Sequence, residues 1–282
     1  MHIGQIRGRA ALVVDDRALD IATASDGAFP SSVDDLYSRW SELTLWASNC
    51  PLGSAQPFNI EDLGAPVRFP RQIIAFGLNY RDHAAEAGFG VPDGLPPVFT
   101  KFASAITGPN STVALPQGNV DWEVELAVVI GASARHITPA QAWDHVAGVT
   151  VAQDISERVL QMSGPAPQFS LGKSHPGFLP LGPTLVTPDE LPDRDALDLR
   201  TTLNGETVQA GNTRDLIVPV AEGIARLSDI LELFPGDLIL TGTPAGVGMG
   251  RTPQRFLAPG DELISAITGV GPIHQHLVAS DR

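Results

Sequence analysis

Cysteine is nearly missing from this sequence: Cys50 stands alone among 282 residues. One thiol cannot close an internal disulfide, and it excludes a zinc site built on several cysteines. Basic residues are scarce too. Eighteen Lys and Arg face 32 Asp and Glu, for a net charge of −14. Nucleic-acid binding needs a basic surface to neutralise phosphates, so no nucleic-acid partner is expected. Docking on an anionic membrane is disfavoured for the same reason. No apolar run approaches the roughly 20 residues of a membrane helix. The opening "MHIGQIRGRAALVVDD" also lacks the apolar segment of a secretory leader. A cytoplasmic protein without a membrane span is expected. No repeat of fixed period and no low-complexity tract is evident.

Several catalytic signatures are missing as well. "TPAGVGMGR" has glycines but places Arg251 where a dinucleotide fingerprint needs its third glycine, and no helical pattern follows. There is no Walker lysine and no Gly-x-Ser-x-Gly elbow. His274 and His276 in "IHQHL" lie two apart on a presumptive strand. Without a carboxylate or third histidine nearby in sequence, they read as the exposed face of a terminal strand.

What remains is a globular composition, 43% hydrophobic and 18% charged, able to bury a substantial core. The length suggests one large or two modest domains. "AALVVDDRALDIAT" reads as two strands about an acidic turn. Leu36, Trp40, Leu43 and Ala47 recur at helical spacing, with Ser31 or Ser32 placed to cap. The Pro- and Gly-rich stretch from Asn49 to Gln72 reads as a link between a small α/β domain, 1–68, and a main body, 69–282. There "IIAFGLN" is a buried strand and "YRDHAAEAG" a short helix. "TPAQAWDHVAG" is a helix opened by a Thr138–Gln141 capping box, with Pro139 at its first position. Val220, Ile224, Leu227, Leu231 and Phe234 form one helical face, stopped by Pro235-Gly236. Strands and loops outnumber helices beyond residue 100.

One stretch poses a chemical question. In "VDWEVELAVVIG", Asp121, Glu123 and Glu125 alternate with Trp122, Val124 and Leu126. Alternate residues of a strand share a face, so three acids would crowd one side of a strand that is apolar on both sides further on. Two readings stay open from these residues alone. The acids are a solvated edge that guards against aggregation, or they hold a hard divalent cation. Asp154 closes the apolar strand "VTVAQD", where an unpartnered charge is costly. His83 and Glu86 are three apart on a short helix, hence neighbours, as an imidazole and its orienting acid would be.

"FGLNYRDHAAEAG", "DWEVELAVVIG", "DISERVLQ", "FSLGKS", "LGPTLVT", "LNGETVQAGNT" and "ILTGTPAGVG" occur in this order. Together they resemble the fumarylacetoacetate hydrolase family over about residues 70 to 275. The resemblance implies an α+β, mainly β fold: a mixed β-sandwich or β-roll catalytic domain behind a small N-terminal α/β domain. It implies Mg²⁺ or Mn²⁺ held by Glu123, Glu125 and Asp154, with Asp121 outside the ligand set. His83 and Glu86 match a water-activating dyad on a lid helix. Lys173 matches the lysine that faces the substrate oxyanion, and Tyr80, Arg158, Gln161 and Thr243 match substrate-binding positions. The sequence departs from many relatives at His175 and Pro176, in a loop expected to border the pocket. Relatives are commonly dimers, so a homodimer is expected.

The activity so implied is metal-dependent hydrolysis of a C–C bond in a 2,4-diketo acid or acylpyruvate, a small-molecule 2-oxo acid, through a stabilised enolate. Oxaloacetate decarboxylation, enol–keto isomerisation and the isomerisation or decarboxylation of a 2-hydroxy-diene-dioate use the same electron sink without water. From a different class, a non-catalytic metal-binding protein would need neither the His-Glu pair nor the lysine.

Overall fold

The computed structural model describes residues 1–86, 88, 90 and 94–280. The fold is mixed α+β and mostly strand. Its β-branched runs decide this: Val124–Ile130 and Val146–Gln153 are buried at every position and pair antiparallel along their length. Alternate side chains of the first strand enter two different cores. Leu126, Val128 and Ile130 pack with Ile224 and Leu227 of the helix Val220–Ile230. Ala127 and Val129 face a second cluster that includes Trp122, Leu179 and Leu263. Burial of each such Val or Leu contributes roughly 1.5–3 kcal/mol. This doubly packed strand is therefore a rigid base for the acids at its start.

The largest sheet has 12 strands. Arg17–Asp20, Arg9–Val14 and His2–Ile6 form an antiparallel meander. His2–Ile6 then pairs with Leu179–Val186. The order continues through Val146–Gln153, Val124–Ile130, Leu238–Leu240, Ile73–Phe76 and Val98–Thr100. Residues 1–68 thus extend the sheet of the main body, and Ile3, Leu36 and Leu43 share a core with Leu179 and Leu185. Within the stretch read as a link, Leu63–Gly64 pairs onto His2–Ile6. A separate five-stranded sheet runs Glu206–Asn212, Asp198–Leu203, Glu262–Ile267, Gly271–Ala279, Asn110–Leu115. Among the described residues no helix is long and apolar enough to cross a membrane.

Two helices differ from expectation. Pro139–His145 has its Thr138–Gln141 capping box but is wound as a 3₁₀ helix. The C-terminal helix ends at Ile230, before Phe234. Leu231 is already extended there, and Leu233 bridges to Ala134, so pairing with another segment wins over one more helical turn. The segment from Val33 is an α-turn, a 3₁₀ turn and the helix Trp40–Ala47 in succession, with Leu36, Trp40 and Leu43 facing inward as their spacing predicts.

Candidate active site

The acidic stretch is not one continuous strand. Val120–Asp121 pairs with Ser156–Glu157, whereas Val124–Ile130 pairs with Val146–Gln153. Between them the ladder is interrupted at Trp122–Glu123 and at Asp154–Ile155, where Asp154 N–H donates to Glu123 O at 2.9 Å. Two buried amide side chains satisfy the freed backbone donors. Gln153 Oε1 accepts from Glu123 N–H at 2.9 Å, and Gln209 Oε1 from Val124 N–H at 3.1 Å. Gln153 is held in turn by Ser265 Oγ at 2.6 Å, and Gln209 donates to Thr243 Oγ1 at 2.8 Å.

The interruption aims Glu123, Glu125 and Asp154 at one point. Their carboxylate oxygens can all lie within 4.8 Å of one another, and all three residues are buried. Asp121 is turned elsewhere. Its oxygens accept from Gly248 N–H at 2.6 Å, Met249 N–H at 3.0 Å and Arg158 Nε at 3.0 Å.

Three buried cations serve the cluster. Lys173 Nζ lies 2.8 Å from Glu123 Oε2 and 2.6 Å from Asp154 Oδ2. Lys101 Nζ lies 2.6 Å from Asp154 Oδ1 and donates to Ile155 O at 3.3 Å. Arg158 reaches Glu123 Oε1 at 2.6 Å and Asp121 Oδ2 at 2.9 Å, while its Nη1 donates to Gln161 Oε1 at 2.9 Å. Burial works against ionising Glu123, yet Lys173 and Arg158 hold its carboxyl below the usual range. For Lys173, burial opposes the charge, but Asp154 and Glu123 lift its pKa. Burial wins at Lys101, whose pKa falls despite Asp154. Glu125 differs from its neighbours. Its one hydrogen bond among the described residues comes from Gly242 N–H at 2.6 Å, and no cationic side chain pairs with it. Burial, then Asp154 and Glu123, push its carboxyl well above the normal range.

These observations fit a divalent cation. Three convergent carboxylates, one of them without a cationic partner, form an all-oxygen donor set suited to Mg²⁺ or Mn²⁺. Beside them Tyr80 is almost wholly buried, and its hydroxyl has no hydrogen-bond partner among the described residues. Burial, followed by Glu125 and Asp215, raises its pKa.

The short helix Arg81–Glu86 brings in the dyad. It is anchored by Asn79, which is buried and donates from Nδ2 to Val218 O at 3.0 Å and Thr241 O at 2.8 Å. His83 Nδ1 lies 3.3 Å from Glu86 Oε2, and Glu86 Oε1 accepts from Gly246 N–H at 3.1 Å. His83 is close enough to Glu123 to help depress its pKa. The first two glycines of "AGVGMG" now have a physical role: Gly246 N–H binds Glu86 and Gly248 N–H binds Asp121. Gly246 sits at φ +105°, where a Cβ would meet Val208 O at 2.1 Å, and a Cβ on Gly248 would crowd Asp121. Beyond the helix expected to act as a lid, positions 87, 89 and 91–93 lie outside the described residues.

Lys173 and Arg158 touch the carboxylates, and His83 and Tyr80 act on them electrostatically. Glu86 lies behind His83, Gln161 behind Arg158, and Thr243 is bonded to Gln209. Arg158 and Lys173 were expected to face substrate. Here the guanidinium binds Asp121, Glu123 and Gln161, and Lys173 bridges two carboxylates. Lys101, Gln153 and Gln209 escaped the sequence reading. The one signal for Lys101 is a lone charge within "VFTKFA". His175, in the departing loop, lies tilted against Phe178 with ring centroids 4.9 Å apart, and burial lowers its pKa. A cavity of about 680 Å³, lined by His2, Leu12, Thr44 and Leu52 among others, contains none of these residues.

With this geometry in hand, comparison with known proteins is informative. Residues 72–278 match the family model described as fumarylacetoacetate (FAA) hydrolase C-terminal. The human protein named oxaloacetate tautomerase FAHD2A, mitochondrial, is 46% identical over 216 residues, which cover 76% of this chain and 68% of that one. The crystal structure of a "putative HpcE protein" from Mycobacterium smegmatis is 54% identical, with a TM-score of 0.95 and full coverage of both chains. Maleylpyruvate hydrolase from Sphingobium sp. SYK-6, solved with manganese (II) ion and pyruvate, is 28% identical with a TM-score of 0.79, again over both whole chains. The chain belongs to the fumarylacetoacetate hydrolase family.

Proposed function

We propose that this protein is a divalent-cation-dependent enzyme that interconverts the enol and keto forms of a short 2-oxo diacid of the oxaloacetate type. The observation that carries the reading is the convergence of Glu123, Glu125 and Asp154 beside the His83–Glu86 pair. The 46% identity to a protein named oxaloacetate tautomerase supports this reading.

Glu123, Glu125 and Asp154 would hold Mg²⁺ or Mn²⁺. When bound, it would supply Lewis-acid chemistry that offsets negative charge developing on the substrate's 2-oxo oxygen. The remaining work falls to side chains. Ketonisation removes a proton from the enol hydroxyl and adds one at C3. His83 is the group for the transfer at C3, because Glu86 holds Nδ1 and leaves Nε2 as the ring's working nitrogen. Gly246 N–H fixes Glu86, and so the tilt of the imidazole. Lys173 gives two hydrogen bonds to carboxylates and keeps a third Nζ hydrogen for a substrate oxygen. The Tyr80 hydroxyl is a second free donor.

A second reading is hydrolytic C–C cleavage of an acylpyruvate. It is supported by the likeness to maleylpyruvate hydrolase, whose structure holds manganese and pyruvate, and by a His-Glu pair equally suited to take a proton from water. One panel separates the two. Purified protein with Mn²⁺ is given enol oxaloacetate and a set of acylpyruvates, and enol decay, pyruvate and free acid are followed. Fast enol decay without pyruvate release is the result expected for the tautomerase. Release of pyruvate and an acid from an acylpyruvate at a greater kcat/KM replaces it with the hydrolase.

A further inference from the structure

The outer face of the five-stranded sheet carries a second cluster of ligating side chains. On Gly271–Ala279, Ile273, Gln275 and Leu277 point into the core, so His274 and His276 point outward. Glu262 begins the neighbouring strand and stands opposite His276 in the antiparallel register. Donor atoms of Glu262, His274 and His276 can all lie within 4.8 Å of one another. His276 Nδ1 is 3.6 Å from Glu262 Oε1, and the two imidazoles are 4.6 Å apart, tilted rather than stacked. His274 Nε2 is shut from solvent and has no hydrogen-bond partner among the described residues.

A surface ion pair does not account for this arrangement. The His276 and Glu262 side chains are each more than half exposed, and a pair of that kind at 3.6 Å adds little. It also leaves His274 Nε2 unexplained. A shared cation accounts for all three side chains.

We propose that Glu262, His274 and His276 form a second metal site for a borderline transition ion of the Zn²⁺ class, with water as the fourth ligand. The donor chemistry differs from that of the carboxylate cluster. Two imidazoles and one carboxylate are a known three-ligand zinc set, whereas Mg²⁺ prefers oxygen alone. Tetrahedral ligands at ~2.0–2.1 Å lie roughly 3.4 Å apart, so the donors must draw in by about an ångström. Exposed Glu262 and His276 have the rotamer freedom for this. The site lies where the hairpin is open. Ile267 and Gly271 pair beside the turn, while Glu262 and His276 pair at the far end. A bound ion therefore clips the strands where the turn constrains them least. The inner face of the same strand carries Ser265, which holds Gln153 and through it Glu123 N–H, so the clip braces a strand that supports the carboxylate cluster.

The test uses full-length protein with no histidine tag, stripped of metal and kept in excess Mg²⁺ to occupy the carboxylates. Zn²⁺ is titrated calorimetrically into the wild type, Glu123→Gln, His276→Gln and the double variant His274→Ala/His276→Ala. The expected result is one equivalent of Zn²⁺ bound with micromolar or tighter affinity by the wild type and by Glu123→Gln. At least tenfold weakening is expected in His276→Gln and loss of that equivalent in the double variant, with circular dichroism unchanged. His276→Gln keeps the test decisive should the double variant misfold. Co²⁺ in place of Zn²⁺ should give the visible absorption of a tetrahedral site in the same variants. Binding by His276→Gln equal to the wild type, or no Zn²⁺ uptake by Glu123→Gln, overturns the proposal.

Discussion

Replacing Lys101 by Met keeps the aliphatic stem but removes a charge whose side chain is 0% exposed. Two opposite effects should follow, and the metal decides between them. Without metal, Asp154 loses a partner at 2.6 Å. Stripping one member of a buried ion pair typically costs ~3–5 kcal/mol. Here Asp154 retains Lys173 at 2.6 Å, so the cost should be nearer the ~1–3 kcal/mol of a buried group left partly unsatisfied. At about 2–4 °C per kcal/mol for chains slightly shorter than this one, Tm in chelator should fall by roughly 2–12 °C. With Mn²⁺ present the sign reverses. Lys101 is a positive charge beside the proposed cation, and burial already pulls its pKa down. Its removal should tighten metal binding by about tenfold, ~1.4 kcal/mol, and saturating Mn²⁺ should restore much of the lost Tm. Thermal melts in chelator and in a Mn²⁺ series, with calorimetric affinities, measure both effects. An equal Tm loss with and without Mn²⁺, or unchanged affinity, would refute the reasoning that places the cation beside Asp154.

Three further outcomes are expected. His83→Ala should lower turnover by about 10²–10⁴-fold, the usual range for losing a general acid or base, while Mn²⁺ affinity measured by calorimetry stays within a factor of three or so. Gly246→Ala should cost both stability and turnover, because a Cβ there meets Val208 O at 2.1 Å on a backbone at φ +105°; a melt and an assay indistinguishable from wild type would mean that the loop does not hold Glu86. In the N-terminal part, the Arg9 hydrogen bond holds Asp20 at a pKa of about 2. A depressed pKa contributes stability above the unfolded carboxylate's ~3.9 that is lost as pH falls through the folded value. Asp20→Asn, which can still cap Thr23, should therefore lose less stability than the wild type between about pH 4 and 2 in acid-denaturation curves.

Much of the fold and the site's cast was legible because local patterns and motifs report it directly. The two-sided burial of the strand's later half follows from the unbroken apolar run Leu126–Ile130. The capping box at Thr138 and Gln141 forms as its residues suggest, though on a 3₁₀ helix. The interruption at Trp122–Glu123 was not legible, because the amides that permit it, Gln153 and Gln209, reach their positions only when distant strands assemble. Asp121 leaves the acidic row for the same kind of reason: its partners Gly248 and Met249 are more than a hundred residues away. Lys101 was hidden because a lone lysine in sequence usually lies at a surface, and burial against Asp154 is a tertiary fact. His274 and His276 read as a bare strand face because Glu262 becomes their neighbour only through strand pairing. Hydrolysis, tautomerisation and isomerisation share one set of residues, so the motifs lead to a family and not to one reaction within it.

The central claim is that Glu123, Glu125 and Asp154 hold the cation on which catalysis depends. Its most direct test is Mn²⁺ binding and enol-oxaloacetate decay, measured side by side in wild-type protein and Glu123→Gln. The account predicts that the wild type binds Mn²⁺ and loses activity in excess chelator. Glu123→Gln should remain folded yet bind Mn²⁺ at least about 100-fold more weakly, ~2.7 kcal/mol, with activity reduced in proportion at limiting metal. Full wild-type activity in excess chelator, or Mn²⁺ affinity unchanged in Glu123→Gln, would contradict it.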